Sequence, residues 1–132
     1  MISLDTNILV QFFAQDDAVL TERAVQVLSV RCCENNPGFV TSIVLVELFW
    51  TLRSHYSFTK EKLLGVLKVL LNAKEIRIEY PDEVRYAYDS FMTQSVDFTD
   101  VLIGAISKVH GCETTVTFDK KASRLPEFSI AE

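Results

Sequence analysis

The chain has 132 residues, 48% hydrophobic and 23% charged, which suits one domain with its own core and leaves no composition for long disordered linkers. Its 13 Lys and Arg against 18 Asp and Glu give a net charge of −5, which excludes a broad basic nucleic-acid surface but not a local one. Cys32, Cys33 and Cys112 form no disulfide ladder, and the distant His55 and His110 no zinc pattern, so free thiols in a reducing cytoplasm are expected. Acidic Asp5 interrupts any signal-like first segment, and no apolar run reaches membrane-spanning length.

The chain opens with a short buried strand over residues 2–4. The polar break Asp5-Thr6-Asn7 then caps a short helix over 8–13. Asp16-Asp17 starts a second helix, predicted over 18–33, with Leu20, Ala24, Val27 and Leu28 at helical spacing, and Asn35-Asn36-Pro37-Gly38 stops it. A strand over 39–41 leads to Ser42, the predicted cap of a helix over 43–55, and Thr59 caps another over 60–73. Alternation predicts a strand over 76–80. Pro81-Asp82-Glu83 opens a helix running to about Met92. Asp97 starts the next helix, which stops at Gly111. The run 114–118 is β-branched and reads as a buried strand. A turn around Ala122 and an edge strand over 128–130 complete the chain.

Strands alternating with helices predict an α/β fold, a Rossmann-like α/β/α sandwich on a mostly parallel sheet of four to five strands, in a single domain over 1–132. In a parallel sheet the C-terminal strand ends and the first turns of the following helices lie along one edge, where ligands bind. That rule assigns Asp5, Glu47, Asp100 and Asp119 to one edge. Asp5 and Asp119 directly follow strands. Glu47 lies in the first two turns after Ser42, within roughly 8 Å of that edge at ~1.5 Å per residue. Asp97 and Asp100 share a helix face at i and i+3. Clustered carboxylates repel one another, and one remedy is a bound cation.

Each acid also has a purely structural reading. Asp5 and Asp97 serve as helix caps, Asp100 as a partner of the helix dipole, Asp119 as an Asx-turn residue. Glu47 with Thr51 and Ser54 makes a narrow solvent stripe. Against that stripe, Phe49, Trp50 and Leu52 suggest a deeply packed helix.

The segments Met1-Ile-Ser-Leu-Asp5-Thr6-Asn7, Val46-Glu47-Leu48, Asp97-Phe98-Thr99-Asp100 and Val116-Thr117-Phe118-Asp119-Lys120 together resemble the PIN-domain nucleases, and within them the VapC-type toxins of bacterial toxin–antitoxin systems. The likeness spans nearly the whole chain. It implies an endoribonuclease dependent on Mg²⁺ or Mn²⁺, with Asp5, Glu47, Asp100 and Asp119 as metal-site and catalytic residues and Asp97 as a secondary member. Thr6 and Thr117 match polar positions near that site. Gly104 departs from the alanine more usual there, a change expected to leave the chemistry alone.

The resemblance further implies water-mediated hydrolysis of RNA phosphodiesters, with structured RNA such as transfer RNA as substrate. Its implied partners are a cognate antitoxin that blocks the site and a second copy of the toxin. Oxygen donors suit Mg²⁺ or Mn²⁺. Lys120 and Lys121 are candidates for substrate phosphates, with a solvated basic turn as the alternative, and Arg53 and His55 are weaker ones. Phe12, Phe13, Phe49, Trp50 and Phe58 exceed the evident needs of one small core, so some are candidates to line a partner groove. Two other functions stay open on the residues alone: a metal-dependent phosphatase or DNA nuclease using the same acids, and a non-catalytic binding module of the same fold.

Overall fold

A computed structural model describes residues 1–132, and the chain divides into two compact units, Met1–Glu79 and Tyr80–Glu132. The first holds β1 (Ile2–Ser3), α1 (Thr6–Ala14), α2 (Ala18–Gln26), β2 (Gly38–Val40), α3 (Ser42–His55), α4 (Lys60–Asn72) and β3 (Ile76–Ile78). Its three strands lie in the order β1-β2-β3 and both pairings are parallel, Ile2 opposite Gly38 and Val40 opposite Ile78. Gly38 is glycine for a steric reason. A Cβ there would stand 2.6 Å from Leu4 Cδ1 and 3.0 Å from Cys32 Sγ.

Local chemistry starts each helix of this unit. Asp5 caps α1, Asp17 caps α2 through the amides of Val19 and Leu20, and Thr59 caps α4 through Lys62 N. The cap of α3 differs from expectation: it is Thr41, whose hydroxyl accepts from Val44 N, while Ser42 is already helical. The Ser42 amide donates instead to Glu79 Oε1, 2.9 Å away, a partner supplied from beyond β3. The helix predicted to reach Cys33 loosens into a wide π-type turn over Val27–Arg31.

Leu45, Leu48, Phe49 and Leu52 form the buried stripe of α3, and Leu63, Val66, Leu67 and Leu70 that of α4. Each such side chain contributes about 1.5–3 kcal/mol of burial energy. Helix α1 packs against both α2 and α3, and α3 against α4.

The second unit holds α5 (Pro81–Thr93), α6 (Phe98–Val109), β4 (Thr115–Thr117), a single 3₁₀ turn (Ala122–Arg124) and β5 (Phe128–Ile130). Pro81 opens α5 with Asp82 and Glu83 in its first turn, Asp97 caps α6, and Gly111 ends it at φ +86°. Helices α5 and α6 pack together, with the Phe91 and Phe98 rings edge to face at 6.3 Å. Strands β4 and β5 pair in parallel, Thr115 opposite Phe128.

The strand over 114–118 was expected to be buried throughout. Thr115 and Thr117 are half-buried, but Val116 and Phe118 are exposed, because alternate residues of a strand face opposite ways. The strands number five as expected but are divided between a three-stranded and a two-stranded sheet, and their parallel pairing and alternation with helices make this an α/β fold. No helix is long and apolar enough to cross a membrane.

Candidate active site

In the first unit, Asp5 leaves the end of β1 in an extended conformation and caps α1, its Oδ1 accepting from Thr6 N at 2.8 Å. Thr6 is buried, and its hydroxyl donates to Oε1 of Glu47 on α3. One residue therefore holds two carboxylates, Asp5 through its amide and Glu47 through its side chain. This link joins the N-terminal end of α1 to the second turn of α3.

Glu47 itself is exposed, not buried as the aromatic neighbours suggested. Phe49 and Leu52 do fill the core, but Trp50 lies off the buried stripe and is 52% exposed. Asp5 and Glu47 open onto a groove of about 1100 Å³ that Arg23, Trp50, His55 and Tyr56 also line. Tyr56 donates to Asp16 Oδ2 at 2.7 Å, which holds the Asp16 carboxyl below and the Tyr56 phenol above their usual ranges. Arg53 packs its guanidinium over the Phe49 ring at 5.2 Å, and His55 stands edge-on to Trp50 at 5.4 Å. Of the five aromatics considered, Phe49 alone is fully buried; Phe12, Phe13 and Phe58 are half-buried.

In the second unit, Asp97 Oδ1 accepts from Thr99 N at 2.8 Å and Asp100 N at 3.3 Å, so one cap orders the turn that carries Asp100. Both acids are half-buried. Asp119 follows β4 in an exposed turn that it organises itself. Its amide donates to Thr117 Oγ1 at 3.0 Å, and its Oδ1 accepts from Lys121 N at 2.8 Å and Ala122 N at 3.3 Å. Thr117 thus orients Asp119 through the backbone, whereas Thr6 orients Glu47 through the side chain.

The first unit brings Asp5 and Glu47 together. The second brings Asp97 and Asp100 together and carries Asp119 in its own turn. Within neither unit do three or more His, Cys, Asp or Glu side chains form a closed metal cluster. The donor chemistry is nonetheless suited to a hard divalent cation. A carboxylate offers two oxygens and about four lone-pair sites, so the one amide bond on Asp5 and the two on Asp119 leave acceptor capacity on both. The thiols stand apart from this chemistry. Cys32 is buried, which pushes its thiol up from the ordinary range, and all three cysteines are free.

Trp50, one of the aromatics considered for a partner groove, does line this one, three positions after Glu47 on the same helix side; sequence reasoning missed Arg23 and Tyr56, which come from other elements and carried no signal.

Over 122 residues the chain is 24% identical to the VapC ribonuclease of Aquifex aeolicus (strain VF5), an alignment that covers 92% of this chain and 90% of that protein. Residues 2–127 match the PIN domain. A match of that extent takes in both units and every acid described above, and the chain therefore belongs to the PIN-domain family.

Proposed function

We propose that this protein is a divalent-cation-dependent endoribonuclease that acts as the toxin of a toxin–antitoxin pair. The observation that carries the reading is the Asp5–Thr6–Glu47 arrangement, in which a buried hydroxyl fixes one carboxylate beside another at the mouth of a groove. The likeness to a VapC ribonuclease supports the choice of RNA as substrate, and transfer RNA is the class to try first.

Asp5, Glu47, Asp100 and Asp119 are the residues that would hold Mg²⁺ or Mn²⁺. When bound, such a cation supplies an activated water and neutralises charge on a phosphodiester. Thr6 keeps Glu47 in one orientation, and Asp97 orders the turn that presents Asp100. Thr117 and the turn amides keep Asp119 in place. An antitoxin segment with an apolar face would seat in the groove beside Asp5 and Glu47, where Leu20, Val27 and Trp50 lie on the walls.

The test is cleavage of transfer RNA and of single-stranded RNA with Mg²⁺, with EDTA and with Glu47→Gln. Cutting that needs the metal and falls at least 100-fold in the variant is expected, with a small phosphoester and DNA left intact. Equal cutting in EDTA would remove the cation from the reaction. Full activity of Glu47→Gln would remove Glu47, and turnover of the small phosphoester alone would make the protein a phosphatase.

A further inference from the structure

Within a chain of net charge −5, the five residues 120–124 carry three cations, Lys120, Lys121 and Arg124, and no acid. Their turn is firmly built. Asp119 accepts from the amides of Lys121 and Ala122, Ser123 N donates to the Asp119 carbonyl at 2.9 Å, and Ser123 Oγ donates to the Lys120 carbonyl at 2.7 Å. Ala122 and Leu125 anchor the turn by burial, which leaves all three cations exposed. Together with Gln94 and Ser95, from the connection between α5 and α6, they line a pocket of about 570 Å³. No ion pair or side-chain hydrogen bond engages Lys120, Lys121 or Arg124. Three like charges around one pocket repel, and a polyanion relieves that repulsion.

A second observation narrows the class of anion. Phe118, two residues before Lys120, is 90% exposed at the end of β4. A ring this exposed gains little from burial and offers a stacking face for a base. Cations that follow a backbone, next to an aromatic that accepts any base, are the combination by which proteins hold single-stranded nucleic acid. The pocket has about half the volume of the groove of the first unit and is rimmed by three cations, which suits a charged strand better than the apolar face of a helix.

We propose that Lys120, Lys121 and Arg124 hold successive backbone phosphates of a single-stranded RNA segment, with Phe118 stacking on one of its bases. The proposal deepens the ribonuclease reading and rests on it for the choice of RNA. It joins Arg124 and Phe118 to the candidates Lys120 and Lys121 as residues that contact substrate, and it makes that contact indifferent to sequence.

The experiment measures binding of a short fluorescent single-stranded oligoribonucleotide to the full chain in EDTA, by anisotropy across a salt series. The variant Lys120→Gln/Lys121→Gln/Arg124→Gln should bind about 10- to 100-fold more weakly at low salt. Its slope of log affinity against log salt should be shallower by about 2, from ~0.7 for each of the phosphates that the cations no longer neutralise. The charge-keeping variant Lys120→Arg/Lys121→Arg/Arg124→Lys should keep wild-type affinity and slope. Phe118→Ala should weaken binding about 5-fold or more with the slope unchanged.

Wild-type affinity and slope in the triple Gln variant would overturn the proposal. So would unchanged RNA binding accompanied by a shifted elution volume, which would make the surface a protein contact. The two readings fail separately. RNA cut with an unaltered KM by the triple Gln variant sinks this pocket alone. RNA bound in the predicted way but never cut with Mg²⁺ or Mn²⁺ sinks the ribonuclease reading alone.

Discussion

Thr6 and Glu47 lie 41 positions apart in the chain, and the hydroxyl of the first donates to Oε1 of the second. The same threonine gives its amide to Asp5 Oδ1. A change at Thr6 that spares the backbone should therefore loosen Glu47 and leave Asp5 capped. Thr6→Val does this with nearly the same shape. Loss of an outer partner that orients a ligand lowers activity about 10- to 100-fold, and that is the fall expected in RNA cleavage. Stability should drop by about 1 kcal/mol or less, since Glu47 is exposed and water can replace the hydroxyl. Thr6→Ser keeps the donor and should recover most of the activity. Equal cleavage by Thr6→Val would show that the hydroxyl does not orient Glu47 for the reaction.

Asp97 combines two possible duties, helix cap and member of the acidic site, and two substitutions part them. Its Oδ1 serves the amides of Thr99 and Asp100. Asparagine retains an oxygen for those amides, whereas alanine removes it at a cost of about 1 kcal/mol. Asp97→Asn should thus melt close to wild type and Asp97→Ala about 3–5 °C lower. If capping is the whole role, activity follows stability and Asp97→Asn cleaves RNA normally. A fall of 10-fold or more in Asp97→Asn with its melting temperature intact would assign the charge to the site.

Features set by neighbours in the chain were legible, and features set by distant partners were not. Asp17, Thr59 and Asp97 declare themselves as caps because the amides they serve lie two or three residues on. Thr41 and Ser42 are both competent to cap, and the choice falls to Thr41. The Ser42 amide is taken by Glu79, a partner that local reading cannot supply. Strand β5 over Phe128–Ile130 was placed by its pattern, but the outward face of Val116 and Phe118 was not. Composition gives a strand its burial tendency, while the face it shows is set by what packs on it. The acids of the site were legible as residue types at strand ends and helix starts. The Thr6–Glu47 bond was not, because nothing in either segment names the other.

Gly104 shows a departure from a family pattern with a physical cause. On α6, a Cβ at this position would stand 2.9 Å from Glu127 Cβ and 2.7 Å from Phe128 Cε1, so β5 approaches the helix where the side chain is missing. Alanine in a helix gains about 1 kcal/mol over glycine by propensity. Overpacking of this kind costs about 1–3 kcal/mol. The Glu127 Cβ adjoins the backbone and gives way less readily than the tip of the Phe128 ring. Gly104→Ala should therefore be neutral to destabilising, by up to about 2 kcal/mol. Urea unfolding measures it, and a gain in stability would mean that β5 moves aside freely.

The same stretch of chain predicts an alkaline transition. The Tyr86 hydroxyl donates to Glu127 Oε1 at 2.6 Å, and this bond, then burial, then the Glu127 charge, raises the phenol above its ordinary value. Glu127 Oε2 is buried without another partner, which makes the tyrosine its main support. A group whose pKa is higher in the folded than in the unfolded chain gives its full stabilisation below the unfolded value, near 10 for tyrosine, and loses it as pH rises through the folded value. Tyr86→Phe should therefore be less stable than wild type at neutral pH, by about 1 kcal/mol. The gap should close as pH is raised above about 10, because the wild type alone has a bond to lose. Melting temperatures of the two proteins measured side by side from neutral to strongly alkaline pH test this, since every other titrating group is common to both. A gap that stays constant through the phenol range would mean that the Tyr86–Glu127 bond contributes nothing that deprotonation can remove.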